Sequence, residues 1–229
     1  NCSGGCRRGG VWPGGVMPSD EEFREAVGRC ATVEALFTRY RMAMALEGYD
    51  NIAFTVLHPG GYAELPFLQL PQGFAETYIG QGFQFRAPVL KAAPHARAPF
   101  YWSDLERNPR FCSDERAVIE IAREFGVHTG VTVPFHGPEG VVELFSLSQR
   151  VSNRLAPART PIVHARTFEV RRRYWELAEV AATDAAAPAF GDGALGIWVE
   201  PAPWEPIKAH SHGPEGMTGD HCRALVFVE

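Results

Sequence analysis

The feature that most constrains the fold is a pair of apolar segments separated by a short turn. Thr129–His136 and Val141–Leu147 are rich in β-branched and aromatic residues and are predicted strands. The intervening residues 137–140 (GPEG) are typical of a hairpin connection. Strands joined by so short a turn pair antiparallel. The chain therefore contains an antiparallel sheet.

Helical patterns lie on both sides of this hairpin. Ser19 and Glu22 form a capping-box pattern that opens a helix, and the apolar spacing continues to a stop at Gly48. Residues 113–125 form an amphipathic pattern that ends at Gly126, and residues 161–182 form a long helical stretch. Three helices are therefore predicted around the sheet.

Shorter elements fill the region between the first helix and the hairpin. Residues 51–57 (NIAFTVL) predict a strand followed by a turn at 59–61. A short helix is predicted at Pro71–Phe83, and a second after Pro88. This order favours an α/β fold, an α/β/α sandwich with a central antiparallel sheet of the GAF/PAS-like kind.

Composition and charge exclude several classes of protein. Hydrophobic residues make up 45% of the 229 residues, and the net charge is −5. A nucleic-acid-binding surface needs a basic patch, and the basic run at 171–173 is interpreted as a solvated helix face. No apolar run is long enough to span a bilayer. The five cysteines are scattered, which favours reduced thiols in a cytoplasmic protein.

The two ends of the chain differ from the middle. Residues 1–16 are predicted to be a disordered leader, and Met17 is a candidate natural start. The sensor-like domain is predicted at 17–182, and 183–229 is an irregular tail without a helix-turn-helix pattern. His210, His212 and Glu215 in this tail resemble ligands of a metal site, but an exposed histidine-rich tail is preferred and no metal is predicted.

Three segments at fixed distances carry a family resemblance. They read FAETYIGQGFQFRAPVL, PFYWSDL and EFGVHTGVTVPFHGPEGVVELFSLS, all between Phe74 and Ser148. They resemble the ligand-binding domain of LuxR-type quorum-sensing regulators, whose pattern is W-x3-Y-x8-D-P, then P-F-x-W, then F-G-x-x-x-G-x-T-x-P. The spacings from Tyr78 to Pro88, from Pro88 to Trp102 and from Trp102 to Gly130 fit this pattern without gaps.

The resemblance implies a sensor of an acyl-homoserine lactone or a related hydrophobic signal, bound between the sheet and a helical layer. Tyr78 would form a hydrogen bond in the pocket, Trp102 would form a wall, and Ser146 would face the amide or the 3-position of the acyl chain. Gly130 would allow close backbone packing beside the ligand. The remaining predicted contacts are apolar: Pro88, Val89, Leu90, Val118, Ala122 and Val127.

Three expected polar contacts are missing. Ala87 stands at the family's aspartate position, Phe74 at its tryptophan position, and Leu70 where some members carry a tyrosine. A buried ligand amide without an acceptor costs about 1–3 kcal/mol. The sequence therefore predicts a less polar pocket, with a different hydrophobic signal, weak lactone binding or no ligand.

Two other functions are weighed against sensing. The chain could dimerise through the predicted helix at 161–182, either with itself or with intact LuxR-type proteins that it would inhibit. Phe168, Tyr174 and Trp175 are candidate interface aromatics, with core packing as the default. No direct DNA contact is predicted for this chain.

Enzymatic activity is the third possibility. Asp104, Glu106, Asp114 and Glu115 are dense, but the last two are typical of a helix start. His128 and His136 have no evident nucleophile as partner. No catalytic residue and no cofactor are predicted.

Overall fold

An antiparallel sheet forms the centre of the fold. The computed structural model describes residues 18–150, 157–184 and 195–198, of which 181–184 and 195–198 are described by backbone alone. Within these residues the sheet has six strands in the order β3-β4-β5-β1-β2-β6, and all neighbours are antiparallel. The strands are β1 (Asn51–Leu57), β2 (Tyr62–Gln69), β3 (Phe100–Tyr101), β4 (Thr129–His136), β5 (Val142–Gln149) and β6 (Leu195–Trp198).

Helices cover both faces of the sheet. Their bounds are α1 (Asp20–Gly28), α2 (Val33–Leu46), α3 (Phe74–Gly80), α4 (Pro88–Ala92), α5 (Trp102–Arg107), α6 (Ser113–Glu124) and α7 (Thr160–Asp184). Helices α1, α2 and α7 share one core with the sheet, and α3 to α6 pack on the opposite face. The predicted α/β/α sandwich with an antiparallel sheet is confirmed.

The strands alternate between two different faces. On the face toward α1, α2 and α7, here called the aromatic face, Phe54 of β1 lies opposite Phe67 of β2 and Phe145 of β5. The rings of Phe54 and Phe145 stack with centroids 4.3 Å apart, and Phe37 of α2 stacks on Phe67 at 4.3 Å. Because side chains alternate along a strand, the neighbouring residues face the other helical layer.

The first predicted helix is wrong in one respect, because it is two helices. The apolar spacing continues across residues 29–32, but the backbone leaves the helix there. Thr32 is extended, and its hydroxyl accepts a hydrogen bond from the Ala35 N–H at 3.1 Å. Threonine is a good N-cap, so it starts a new helix instead of continuing the old one.

Three strands, one helix and one helix boundary also differ from the prediction. Strand β3 and helix α5 lie where no regular element was predicted. Strand β2 follows the predicted turn directly, and β6 lies in the tail and pairs with β2 from Tyr62↔Trp198 to Leu65↔Leu195. The exposed edge of β2 offers the free backbone groups that a further strand needs. Helix α3 begins at Phe74 and not at Pro71, since Gly73 before it has a positive φ of 78°.

Buried carboxylates attach α7 to the sheet and to α2. Glu143 of β5 accepts hydrogen bonds from Arg171 at 2.9 and 2.7 Å and from the indole of Trp175 at 2.9 Å. Glu47 is the residue after α2, and its side chain accepts hydrogen bonds from Arg159 at 2.7 Å and from the buried Arg166 at 3.1 Å. Each buried charge therefore has a charged partner.

The basic run at 171–173 is not a uniform solvated face, and that interpretation is wrong for two of its members. Arg171 binds Glu143, and Arg173 donates to the carbonyl of Cys30 at 2.6 Å. Arg172 alone is mainly in solvent, where it pairs with Glu169 and Glu176. The three adjacent arginines lie in three different environments because consecutive side chains of a helix point about 100° apart.

The candidate interface aromatics of α7 also differ in their exposure to solvent. Tyr174 is buried in the core and Trp175 donates to Glu143, whereas Phe168 is 47% exposed.

No helix in the described ranges is both long and apolar enough to cross a bilayer. The predicted leader, Met17, and the tail histidines with Glu215 lie outside the described residues.

Adjacent arginines of α7 provide a matched stability test. We expect Arg171→Ala to lower the free energy of unfolding by about 3 kcal/mol, because Glu143 would stay buried without its charged partner. Arg172→Ala removes only exposed pairs and is expected to cost about 1 kcal/mol or less. Urea unfolding of the two variants measures the difference, and equal losses would contradict this account.

Candidate functional site

A cavity lies between the second face of the sheet and the helices α3 to α6. Its volume is about 130 Å³. A single buried water needs about 10–15 Å³. The cavity is therefore large enough for a small organic molecule.

Almost all of the site residues predicted from the sequence line this cavity. The exception is Gly130, which lies behind one wall. The lining residues among those predicted are Leu70, Phe74, Tyr78, Ala87, Pro88, Val89, Leu90, Trp102, Val118, Ala122, Val127 and Ser146. They come from five separate parts of the chain, and the fold brings them together.

Gly130 supports the wall formed by Trp102. A Cβ atom at this position would lie 2.5 Å from the indole ring, which is closer than any real contact. Residue 130 must therefore be glycine for the ring to lie flat on the backbone of β4. The close neighbour of Gly130 is Trp102, whereas the predicted packing of this glycine beside a ligand stays a prediction.

The sequence reasoning missed part of the lining. The missed residues are Ala53, Thr55, Leu65, Leu68, Ala75, Ile79, Ile119 and Ser148. The strand members could have been found from alternation, since Ala53 and Thr55 alternate with the core residues of β1, and Ser148 follows Ser146 by two positions. The residues on β2 could not, because that strand was not predicted.

The floor of the cavity is made of small side chains. Across the sheet Thr132 of β4 lies opposite Ser146, Ser146 opposite Ala53, and Ala53 opposite Leu68. This row runs beside the row of phenylalanines that occupies the aromatic face. Space remains on the cavity face because alanine and serine fill little volume there.

Two of the polar groups near the cavity are joined through a buried threonine. The indole N–H of Trp102 donates to the Oγ1 of Thr132 at 3.0 Å. That oxygen lies 3.0 Å from the Oγ of Ser146. Thr132 is fully buried and was not among the predicted residues. The Trp102 indole is therefore bonded to the protein and not free for a ligand.

The other polar groups of the lining are also uncharged. Ser148 accepts a hydrogen bond from the side-chain amide of the buried Asn51 at 3.0 Å. Burial raises the pKa of the Tyr78 hydroxyl, which keeps it protonated. Every lining residue is neutral at pH 7. A charged ligand would lose its hydration without gaining a counter-ion.

The three departures from the family pattern all lie in the lining. Ala87 is the residue before helix α4 and provides no side-chain cap. Phe74 packs against Tyr78 and Phe125, with ring centroids 5.8 and 5.5 Å apart. Leu70 borders the same cluster. Apolar side chains therefore border the cavity at all three positions.

An ion pair joins two of the helices above the cavity. Lys91 of α4 contacts Glu115 of α6 at 2.7 Å, and the backbone N–H of Cys112 donates to the same carboxylate at 2.7 Å. Burial by itself would raise the pKa of Glu115, but these hydrogen bonds outweigh it and hold the pKa below its usual value. Glu115 thus fixes α4 against the start of α6.

Two further acidic residues and one histidine that were weighed as catalytic candidates also have local roles. Asp104 pairs with Arg107 at 2.9 Å, and Glu106 pairs with Arg123. His136 contacts the carbonyl of Ala96 at 2.8 Å. None of these residues lines the cavity.

The close approach of Trp102 to Gly130 leads to a stability prediction. We expect Gly130→Ala to lower the free energy of unfolding by about 1–3 kcal/mol and to displace the Trp102 indole, because the added methyl group overlaps the ring. Gly28→Ala is the control, since a Cβ there meets nothing within 4 Å. Urea unfolding measures stability, and the indole N–H signals in NMR report the position of the ring. An unshifted Trp102 signal would contradict the prediction.

Comparison with known proteins identifies the domain. A family model described as the autoinducer binding domain matches residues 32–174, which is more than half of the chain. The transcriptional activator protein AhyR of Aeromonas hydrophila is 27% identical over 134 residues, which cover 56% of this chain and 50% of that protein. The transcriptional activator protein TraR of Rhizobium radiobacter is 32% identical over 72 residues, 31% of each chain. The chain spans half or less of the length of these relatives.

A solved structure supports the same fold. SdiA, a protein of Escherichia coli, has a structure in complex with octanoyl-rac-glycerol that superposes with a TM-score of 0.57. The superposition covers 71% of this chain and 69% of that one, at 18% sequence identity. The likeness at this identity is one of fold. The family match shows that this chain belongs to the family of the autoinducer-binding domain of LuxR-type quorum-sensing transcriptional regulators.

Proposed function

We propose that the cavity binds an uncharged hydrophobic signal molecule, and that the domain reports its presence within a LuxR-type regulatory system. The observation that carries the proposal is the lining, which combines many apolar side chains with a few hydroxyl groups and no charge. Small amphiphiles bind in cavities of this composition, where apolar surface supplies affinity and a few polar groups supply orientation. The predicted residues gathered around it support the same site.

The proposed ligand differs from a standard acyl-homoserine lactone. Ala87 offers no carboxylate to accept an amide N–H, and Phe74 offers no indole N–H. Each lost contact of this kind costs about 1–3 kcal/mol, and 1.4 kcal/mol corresponds to a tenfold change in affinity. We expect ordinary lactones to bind weakly. Octanoyl-rac-glycerol, the molecule in the SdiA structure, has an ester and no amide, and is therefore a suitable first probe.

Thermal unfolding with added probe tests the proposal. We expect octanoyl-rac-glycerol in excess to raise the melting temperature, since a ligand that binds only the folded state stabilises it by about 2.7 kcal/mol at 100 times its Kd. Ala75→Phe, which places a ring in the lining, should abolish this shift. Native mass spectrometry of protein incubated with extract of lactone-producing cells would identify a bound natural ligand. Nanomolar binding of an ordinary lactone by calorimetry would contradict the expected weak binding.

We also propose that α7 forms a dimer interface. Phe168 is 47% exposed, and the ring of Phe135 lies beside it with the centroids 6.3 Å apart. Phe135 is partly buried, so Phe168 is the exposed ring, and aromatic residues are enriched at contact surfaces.

The oligomeric state tests this second proposal. We expect native mass spectrometry to detect a dimer, and Phe168→Ser to yield monomer because it removes the exposed ring. Arg172→Ala, which changes an exposed side chain on the same helix, is the control. A dimer that survives Phe168→Ser would place the interface elsewhere.

A further inference from the structure

The direction of the hydrogen bonds behind the cavity wall can be worked out from the chemistry of the groups. An indole N–H can only donate, so the Oγ1 of Thr132 must be the acceptor of the bond from Trp102. Thr132 then has one hydrogen of its own to place. Among the described residues, its only other hydrogen-bond partner is Ser146. Buried hydroxyl hydrogens are almost always bonded, so Thr132 donates to Ser146.

This direction decides what Ser146 can offer. Its oxygen accepts from Thr132, and its hydrogen stays available on the cavity side, where Ser146 is part of the lining. A chain of hydrogen bonds that run in one direction also strengthens its last donor. Ser146 is therefore held as a donor toward the cavity.

Ser148 repeats the arrangement two residues further along β5. The side-chain amide of Asn51 donates to its oxygen, which leaves the Ser148 hydrogen for the cavity. Side chains two positions apart on a strand are about 7 Å apart on the same face. The sheet thus presents two hydroxyl donors in a row, each oriented by a buried group behind it.

Strong acceptors are missing from the same lining. No carboxylate is present among the lining residues, and Ala87 stands where the family has one. The Tyr78 hydroxyl also belongs to the lining and can act as a third donor. The balance of polar groups therefore favours a ligand that accepts hydrogen bonds.

Building on the proposed function, we propose that the ligand is an uncharged amphiphile whose polar end carries oxygen acceptors, such as an ester, and no N–H. Ser146 and Ser148 bind these oxygens. Thr132 and Asn51 are positioning residues, which act through the serines and do not contact the ligand.

A matched pair of probes isolates the single group in question. N-octanoyl-homoserine lactone has an amide N–H, and 2-octanoyloxy-γ-butyrolactone has an ester oxygen at the same place. We expect calorimetry to give the ester a Kd about tenfold lower, because the amide hydrogen would be buried without an acceptor.

Variants separate this effect from general differences between the probes. Thr132→Val removes the hydrogen bond that orients the Ser146 hydroxyl. Ser146 could then turn its hydrogen away from an ester and offer its oxygen to an amide N–H. The variant should therefore weaken ester binding and bring the two Kd values closer together. Thr132→Ser keeps the hydroxyl and should keep the ratio. Ala87→Asp supplies a carboxylate and should favour the amide. The indole N–H signal of Trp102 should shift in Thr132→Val and stay in Thr132→Ser, which shows that the indole bond is lost only in the first.

The outcomes distinguish this inference from the proposed function. Equal or tighter binding of the amide by the unaltered protein overturns the inference but leaves a hydrophobic ligand site in place. An unchanged ratio in Thr132→Val overturns the role of Thr132. If neither probe binds, the inference fails, and the proposed function is then decided by the octanoyl-rac-glycerol and mass-spectrometry results.

Discussion

The two-residue alternation of the central strands determines most of this structure. Phe54 and Phe145 lie opposite each other and stack at 4.3 Å on the aromatic face. A shift of the register by one residue would turn these rings toward the other helical layer, so their packing fixes the register. Ala53 and Ser146 then face the cavity together. The core on one side and the empty space on the other follow from the same pairing.

The two helical layers are attached to the sheet by different means. Helix α7 packs in the core that it shares with the sheet, and ion pairs join its Arg171 to Glu143 of β5 and its Arg166 to Glu47 after α2. Helices α3 to α6 pack around the cavity through apolar contacts, and Lys91 with Glu115 joins two of them. A bound molecule would add contacts to this second layer, where packing is incomplete. Ligand binding is therefore expected to stabilise the layer that the cavity leaves least supported.

The predictable parts of the fold are those set by local pattern. Strand β4 and helix α6 follow from alternation, helical spacing and a glycine stop. The break between α1 and α2 was missed because the apolar spacing continues through it, and only the capping by Thr32 interrupts the helix. Strand β2 was missed because its pattern is weakly apolar, with Glu64 and Pro66 inside it. Strand β6 depends on a partner far away in the sequence.

The same distinction applies to the site. The family spacing placed Tyr78, Trp102 and Ser146 in one cavity, because insertions would have disturbed these distances. It could not identify Thr132 or Asn51, whose importance depends on which strands are neighbours. A sequence motif can therefore predict which residues line the cavity. The residues that orient them from behind can be identified only when the pairing of the strands is known.

Those hidden groups change the meaning of the altered positions. If the Trp102 N–H were free, it could donate to a ligand. The absence of a carboxylate at position 87 would then remove only one of several polar contacts. The structure instead uses that N–H within the protein, through Thr132, and the remaining polar groups are hydroxyls. A site disfavours a molecule whose buried polar group it leaves without a hydrogen-bond partner, at a cost of about 1–3 kcal/mol. With no carboxylate in the lining, an amide hydrogen would be such a group, while the ester oxygens of the proposed ligand would accept hydrogen bonds from Ser146 and Ser148. Under this proposal, selectivity depends on the direction of the hydrogen bonds as well as on the shape of the cavity.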